Sequence, residues 1–229
     1  MKEGLFSMRE FFITICPTAI WFIVAAEALI AVFLFLQAKR HRQAAALWSG
    51  VLTIGLILDA AIIGLGTALP ESTLTAISPV RFIAHGLLIP LIFPICAYAL
   101  KLRKPVIIGV WAVTGLLMIG GVAQALATVL EKREIAGVVR LASGADTPKW
   151  ADIISRVLSF GTVIPMMIAG IIVWIKQKNP HLFLSAFLMF VFSALGPATG
   201  NSDLIFFISM FGELLMVLFL YLYNRKDVC

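Results

Sequence analysis

Charged residues are scarce in this chain. Asp, Glu, Lys and Arg together make up 13% of its 229 residues, whereas hydrophobic residues make up 61%. Soluble domains carry about 25% charged and about 45–50% apolar residues. The composition therefore excludes a soluble globular core and predicts that residues 1–229 form a single membrane domain.

Residues that bind metals or carry redox chemistry are also few. The chain has three histidines and three cysteines, and Cys16, Cys96 and Cys229 lack the spacing of a metal or redox site. P-loop, GxSxG and HExxH motifs are absent from the sequence. We therefore predict no metal and no cofactor, and the sequence leaves open whether the protein is an enzyme.

Seven apolar stretches occupy most of the chain, each close to the roughly 20 residues that cross a bilayer core as a helix. Ser78-Pro79 and Thr147-Pro148 are typical helix starts ahead of the third and fifth stretches. The sequence predicts an all-α, polytopic seven-transmembrane-helix bundle. The predicted spans are about 11–37, 44–68, 79–100, 105–130, 150–175, 181–198 and 202–223.

Lys and Arg are unevenly distributed between the two sides of these spans. Ten lie in the loops and tail on the side of the C-terminus, against six on the other side. The positive-inside rule then predicts an external N-terminus and a cytoplasmic C-terminus. Because the net charge of +6 reflects this distribution, we expect membrane lipids rather than nucleic acid as partners.

The remaining predictions about location follow from the same pattern. We expect a multi-pass protein of the plasma (inner) membrane, with its first helix retained as both signal and anchor. A homo-oligomer is left open. The external loop 131–149 is predicted to form a short interfacial helix or a lid, with a solvated connector as the alternative.

Several ionisable residues lie inside the predicted spans, and four of them are placed between the outer surface and the midplane as candidates for one site. A rise of about 1.5 Å per residue puts Arg81 roughly 3 Å and His85 roughly 9 Å inside the bilayer, with Asp59 and Glu213 roughly 15 Å inside. Charge at this depth is costly and marks functional sites. Asp59 and His85 are therefore our candidate proton-active, catalytic-type pair, and Arg81 and Glu213 are candidate ligand-binding residues.

Two further residues complete the predicted site, Gln124 near the outer end of the fourth span and Arg156 in the fifth. Arg156 has an alternative interpretation, because Asp152 lies four residues earlier and can form a local ion pair with it. Arg81 could instead reach the outer head groups through its long stem.

Two buried polar groups also have structural interpretations. His85 could be a neutral histidine bonded to a backbone carbonyl. Glu27, in the middle of the first span, could make a structural hydrogen bond against small residues.

The third span contains Arg81-Phe82-x-x-His85-x-x-x-x-Pro90-Leu91, which resembles the third helix of the microbial rhodopsins. The resemblance implies a seven-helix fold. The position of the family's counterion carboxylate is Ala84, and the seventh span contains no lysine for a retinal Schiff base. The resemblance thus implies a rhodopsin-like protein without covalent retinal.

A second comparison is with intramembrane lipid hydrolases of the lysoplasmalogenase-like and ceramidase-like groups, which use intramembrane Asp and His. Asp59 and His85 are similar in type, but the chain has too few histidines for the zinc site of the second group. This resemblance implies a metal-free Asp/His acid–base pair acting on a lipid.

The sequence favours an outward-facing polar pocket inside the membrane that binds a small or amphiphilic, anionic ligand for transport or sensing. The alternatives are the metal-free lipid hydrolase and the rhodopsin-like protein without covalent retinal.

Overall fold

The computed structural model describes residues 2–199 and 202–225. Within this part of the chain, the apolar stretches form eight α-helices joined by short turns and one β-hairpin. The helices are α1 (Lys2–His41), α2 (Ala44–Gly64), α3 (Glu71–Leu88), α4 (Ile92–Ala99), α5 (Lys104–Ala127), α6 (Lys149–Gln177), α7 (His181–Thr199) and α8 (Ser202–Asn224).

Helices α3 and α4 form one interrupted rod. A 3₁₀ turn, Ile89–Leu91, joins them. Pro90 lies in this turn, and proline both lacks a backbone N–H and clashes with the carbonyl four residues earlier, so it breaks an α-helix. The interruption shifts the second half of the rod toward the middle of the bundle, where α4 packs against α2, α5 and α6.

The rods are arranged in a ring in chain order. Each rod packs against the next one along the chain, and α1 closes the ring by packing against α8. Consecutive helices pack side by side because short connections join them. Chain order therefore sets which helices can contribute to a site in the middle of the ring.

The outer surface of the ring is apolar. Phe22, Leu116, Ile119 and Ile175 are each more than half exposed, as expected of side chains that face lipid. Five helical segments of the described chain are long and apolar enough to span a membrane: Ile13–His41, Ala44–Gly64, Glu71–Ala99, Lys104–Ala127 and Lys149–Gln177. The structure thus supports a membrane protein, and seven spans stay a prediction, since the apolar segments found in the described parts of α7 and α8 are His181–Ser193 and Ile208–Asn224.

The start predicted for the third span is wrong. Helix α3 begins at Glu71, with Pro70 before it, and Pro79 lies inside the helix. Both prolines are compatible with a helix start, but only the first is followed by an acidic residue in the first turn, where it interacts favourably with the helix dipole. The earlier start moves Arg81 to roughly 15 Å from the beginning of its helix, instead of roughly 3 Å.

Helices α3 and α5 approach each other through glycines. A side chain on Gly86 would collide with the backbone of Gly121, and a side chain on Gly121 would collide with the backbone of Gly86. Small residues permit such close packing of membrane helices. The contact lies one residue after His85 and fixes the height of that side chain in the bundle.

Loop 131–149 does not form the predicted interfacial helix. It contains an antiparallel hairpin of β1 (Leu130–Ile135) and β2 (Val138–Ser143). Ala136 and Gly137 form its two-residue turn, and both have positive φ, as in the type I′ turn that joins two twisted strands. The hairpin was not expected because the charged residues at 131–134 indicate a solvated segment. The β-branched residues Val138 and Val139, which favour a strand, come only after them.

The hairpin is not a solvated connector either. Its tip enters the end of the bundle, where Ala136 is 2% and Val138 is 1% exposed. The Ala136 N–H donates to Asp203 Oδ1 of α8 at 2.7 Å. Gly137 lies against Ile13 of α1. The hairpin therefore covers one end of the ring, which we call the hairpin end.

Candidate functional site

A cavity of about 540 Å³ extends from the hairpin into the middle of the ring. Its walls come from α2, the α3–α4 rod, α5, α6, α7, α8 and β2. From Phe206 to Met216 it follows α8 for ten residues, or roughly 15 Å. Its volume lies within the range of sites that hold a drug-sized ligand.

An ion pair joins α2 and α3 at this cavity. Arg81 Nε donates to Asp59 Oδ1 at 2.8 Å, and both side chains are about one-tenth exposed. Arg81 Nη1 also donates to the carbonyl oxygen of Leu141 in β2, at 3.1 Å. Arg81 therefore connects two helices and the hairpin, and its guanidinium is held inside the bundle rather than extended from its surface. A buried charge needs such partners to offset its desolvation.

His85 lies one helical turn beyond Arg81 on the same wall. Its Nδ1 is 3.9 Å from Asp59 Oδ1, the oxygen that Arg81 already occupies. This separation is longer than a hydrogen bond. His85 is thus close to Asp59 without being bonded to it, and its side chain is 40% exposed toward the cavity.

Glu213 and Gln124 line the same cavity from α8 and α5. The Gln124 side-chain amide donates to Thr128 Oγ1 at 2.8 Å. Glu213 is partly buried and, among the described residues, forms no hydrogen bond or ion pair. The structure thus brings five of the six predicted site residues together, while their roles stay predictions.

Arg156 is the exception. Its side chain is 73% exposed and pairs with Asp152 at 2.9 Å on the outside of α6. It does not line the cavity. The prediction that Arg156 belongs to the ligand-binding site is therefore wrong, and the alternative, a local ion pair with Asp152, is what the structure shows. Helical periodicity explains the outcome, since Ser155 and Ser159 of the same helix line the cavity and Arg156 points about 100° away from Ser155.

Arg140 of β2 is a cavity residue that sequence reasoning missed. Its guanidinium carbon lies 4.5 Å from the centroid of the Phe206 ring. Its Nε is buried and has no hydrogen-bond partner among the described residues. Burial and, after it, the nearby charge of Arg81 lower the pKa of Arg140 to about 10, so the guanidinium stays protonated at neutral pH.

Hydroxyl groups form the wall opposite the ion pair, and sequence reasoning missed these as well. They belong to Ser155, Ser159, Thr162, Ser193 and Ser209. The hydroxyls of Ser159, Thr162 and Ser209 bond to carbonyls of their own helices. The signal available was their spacing of three to four residues on α6, which places them on one helical face.

The cavity is polar near the hairpin and apolar at its inner end. Arg81 and Arg140 lie at the hairpin end, and Asp59, His85 and Glu213 follow. The inner end is lined by Leu56, Ile89, Ile92, Met189 and Met216. A pocket with this gradient accommodates a molecule with a charged head and an apolar tail.

No protein-family model matches the chain, and no curated protein is significantly similar to it. The site's geometry and charges therefore carry the functional argument.

Proposed function

We propose that the protein is an integral membrane protein whose cavity binds a small amphiphilic anion, for transport or sensing. The hairpin end faces outside in this proposal, because Lys and Arg are more numerous on the opposite side. The anionic head lies beside Arg140 and Arg81, and the tail extends to the apolar inner end.

One observation carries the proposal: the Arg140 guanidinium lines the cavity and forms no ion pair with an anionic side chain among the described residues. Arg81 is already neutralised by Asp59 at 2.8 Å, so Arg140 supplies the uncompensated positive charge. A charged group in a low-dielectric site interacts with an opposite charge much more strongly than in water. Its planar fork also suits a carboxylate or phosphate.

The matched pair of dodecanoate and dodecanol tests this proposal. The two molecules share a chain that suits the length of the cavity, and only dodecanoate carries a negative charge. We expect the protein in lipid nanodiscs to bind dodecanoate and to bind dodecanol more weakly, as measured by calorimetry. Equal affinities for the two molecules would contradict an anion site.

Variants locate the binding. Arg140→Gln is expected to weaken dodecanoate binding roughly 10- to 100-fold, since a charge-assisted hydrogen bond is lost. Arg156→Gln is the matched control, because this arginine lies outside the cavity, and it is expected to leave the affinity unchanged. An unchanged affinity in Arg140→Gln would contradict the proposal.

The lipid hydrolase is the second candidate, favoured by His85 lying 3.9 Å from Asp59 beside a wall of hydroxyls. Arg81 competes with His85 for the same carboxylate oxygen, so a working pair requires a shift of Arg81. Turnover of a lysolipid or ceramide by purified protein, lost in His85→Ala, would favour this candidate over binding alone. Absence of turnover across a lipid panel would exclude it.

A further inference from the structure

Three carboxyl groups lie close together where α1, α2 and α8 meet. They belong to Glu27, Asp59 and Glu213, which we call the carboxyl triad. Their charges are near enough to interact with one another. Only Asp59 and Glu213 line the cavity, whereas Glu27 lies behind them and takes no part in the proposed function.

Helix register places Glu27 at the level of Asp59. Phe35 of α1 lies against Gly50 of α2. The two helices run in opposite directions, so eight residues back along α1 correspond to eight residues forward along α2. Glu27 is therefore opposite position 58, next to Asp59.

Glu213 lies at the same level on the other side of α1. Ile20 and Ile23 of α1 share a hydrophobic cluster with Phe206 and Met210 of α8. The first and last rods of the ring run in the same direction, so one further turn along each brings Glu27 and Glu213 side by side. The triad thus occupies one layer of the bundle.

Two of these carboxyl groups lack a partner. Glu27 is 0% exposed, and neither of its oxygens has a hydrogen-bond partner among the described residues. The structural hydrogen bond considered for Glu27 is therefore not present there. Glu213 likewise has no bond or ion pair in the described chain, and Arg81 is paired to Asp59.

A metal ion does not explain the triad. Within residues 2–199 and 202–225, no three His, Cys, Asp and Glu side chains converge closely enough to hold one. An ionised carboxylate buried without a partner costs several kcal/mol, and protonation removes this penalty. Protons are therefore the ligands that fit Glu27 and Glu213.

We propose that the carboxyl triad is a proton-binding site, in which Glu27 and Glu213 hold protons while Asp59 pairs with Arg81, and that it links anion binding in the cavity to protonation. The second part rests on the proposed function. A bound anion and an ionised Glu213 would place two negative charges in one cavity. When the anion enters, an ionised Glu213 therefore takes a proton from bulk water.

The helices and strands packed against α8 contribute the charges that act on Glu213. Helix α7 contributes no Asp, Glu, Lys or Arg, and the charged residues of β1 lie on the outer part of the hairpin. The remaining charged or titratable groups near Glu213 are Glu27, Asp59, Arg81, His85 and Arg140. Arg81 is neutralised by Asp59, so Arg140 and the incoming anion decide the charge balance at Glu213.

Infrared spectroscopy of the full chain without ligand tests the first part. Protonated carboxyl groups absorb separately from carboxylates, and Gln has nearly the shape of a protonated Glu. We expect Glu27→Gln and Glu213→Gln each to remove part of the protonated-carboxyl signal at neutral pH. Glu134→Gln, in the exposed part of the hairpin, is the control and should remove none. A wild-type spectrum without this signal overturns the proposal, whether or not the variants fold.

Calorimetry with dodecanoate in buffers of different ionisation heat tests the linkage. At pH values where Glu213 is ionised in the empty protein, we expect uptake of up to one proton per dodecanoate, and an affinity that falls by about tenfold per pH unit. In Glu213→Gln, both effects should disappear while dodecanoate still binds.

The two proposals fail in different ways. Dodecanoate binding without proton uptake at any pH overturns the linkage and leaves the proposed function intact. Absence of dodecanoate binding overturns the proposed function and the linkage with it, and the infrared signal still decides whether Glu27 and Glu213 hold protons.

Discussion

The two ends of the bundle differ in the buried polar groups that they leave without a partner. At the end opposite the hairpin, Gln177 Nε2 donates to the Ala99 carbonyl at 2.8 Å, and Trp111 Nε1 donates to the Tyr98 hydroxyl at 3.2 Å. The buried atoms without a partner at that end, within the described chain, are neutral oxygens of Gln37, Gln43 and Ser49. From the hairpin end to the middle of the bundle, the groups that lack hydrogen-bond partners in the described chain include the ionisable Glu27, Glu213 and Arg140. Unsatisfied buried groups lower stability by about 1–3 kcal/mol each, so the bundle retains groups that folding alone disfavours.

Packing differs in the same way. Leu52, Ile95, Leu182 and Leu220 are fully buried in one cluster toward the opposite end, whereas the hairpin end surrounds a cavity of about 540 Å³. Empty space removes dispersion contacts from the residues that line it. Buried apolar clusters lie at both ends of the bundle, and the cavity in which we propose ligand binding adjoins the hairpin end.

Breaking the ion pair is expected to have the largest effect. Asp59→Ala leaves the Arg81 charge buried and uncompensated, which should lower the free energy of unfolding by about 3–5 kcal/mol. Denaturant titration in mixed micelles measures this loss. Asp152→Ala, which removes an exposed ion pair, is the control and should change stability by less than about 1 kcal/mol. Similar losses in the two variants would contradict the structure of the site.

Removing the unsatisfied carboxyl group of Glu27, in the middle of the bundle, should instead raise stability. Glu27→Met replaces a fully buried carboxyl with an apolar side chain of similar size, so we expect stability to rise by about 1–3 kcal/mol. The thermal unfolding midpoint should rise accordingly. A lower midpoint would mean that Glu27 has a stabilising partner, and the contrast between the two ends would then be wrong.

The glycine contact between α3 and α5 provides a third test. Gly121→Ala places a methyl group against the backbone of Gly86, and such overpacking costs about 1–3 kcal/mol. Gly109→Ala in the same helix meets no neighbouring atom, and it should leave stability unchanged or slightly increased. Equal midpoints for the two variants would show that the helices are farther apart.

The smallest effect is expected at the opposite end. Gln177→Met removes the donor to the Ala99 carbonyl, so we expect a loss of about 1 kcal/mol. Together with Glu27→Met, this variant compares the replacement by Met of a polar side chain that lacks a partner with that of one that has a partner. The expected changes in stability have opposite signs. An increase in stability for both would mean that the polar groups of the two ends are equivalent.

The composition of the chain predicted the membrane helices, and the depth of the charged residues predicted which of them could share a site. Asp59, Arg81 and His85 were predictable as one group because chain direction sets the end of the bundle to which each lies nearer, although the start of α3 at Glu71 puts Arg81 farther along its helix than expected. Arg156 was wrongly assigned to the site because its depth is similar to that of the other site residues. Depth does not show which face of a helix points inward, since this depends on the neighbouring helices. Arg140 was missed because the hairpin has no apolar periodicity.

The sequence by itself determined that the chain is an apolar helical protein with a few buried charges, because hydrophobicity and helix length are local properties. Only the tertiary structure decided that the hairpin enters the bundle, that Arg81 pairs with Asp59, and that Arg140 faces the same cavity as Glu213. The hydrogen bonds that connect Asp59, Arg81, the hairpin and α8 join residues from 22 to 67 positions apart in the chain. Their formation depends on how whole helices pack, which no local pattern encodes.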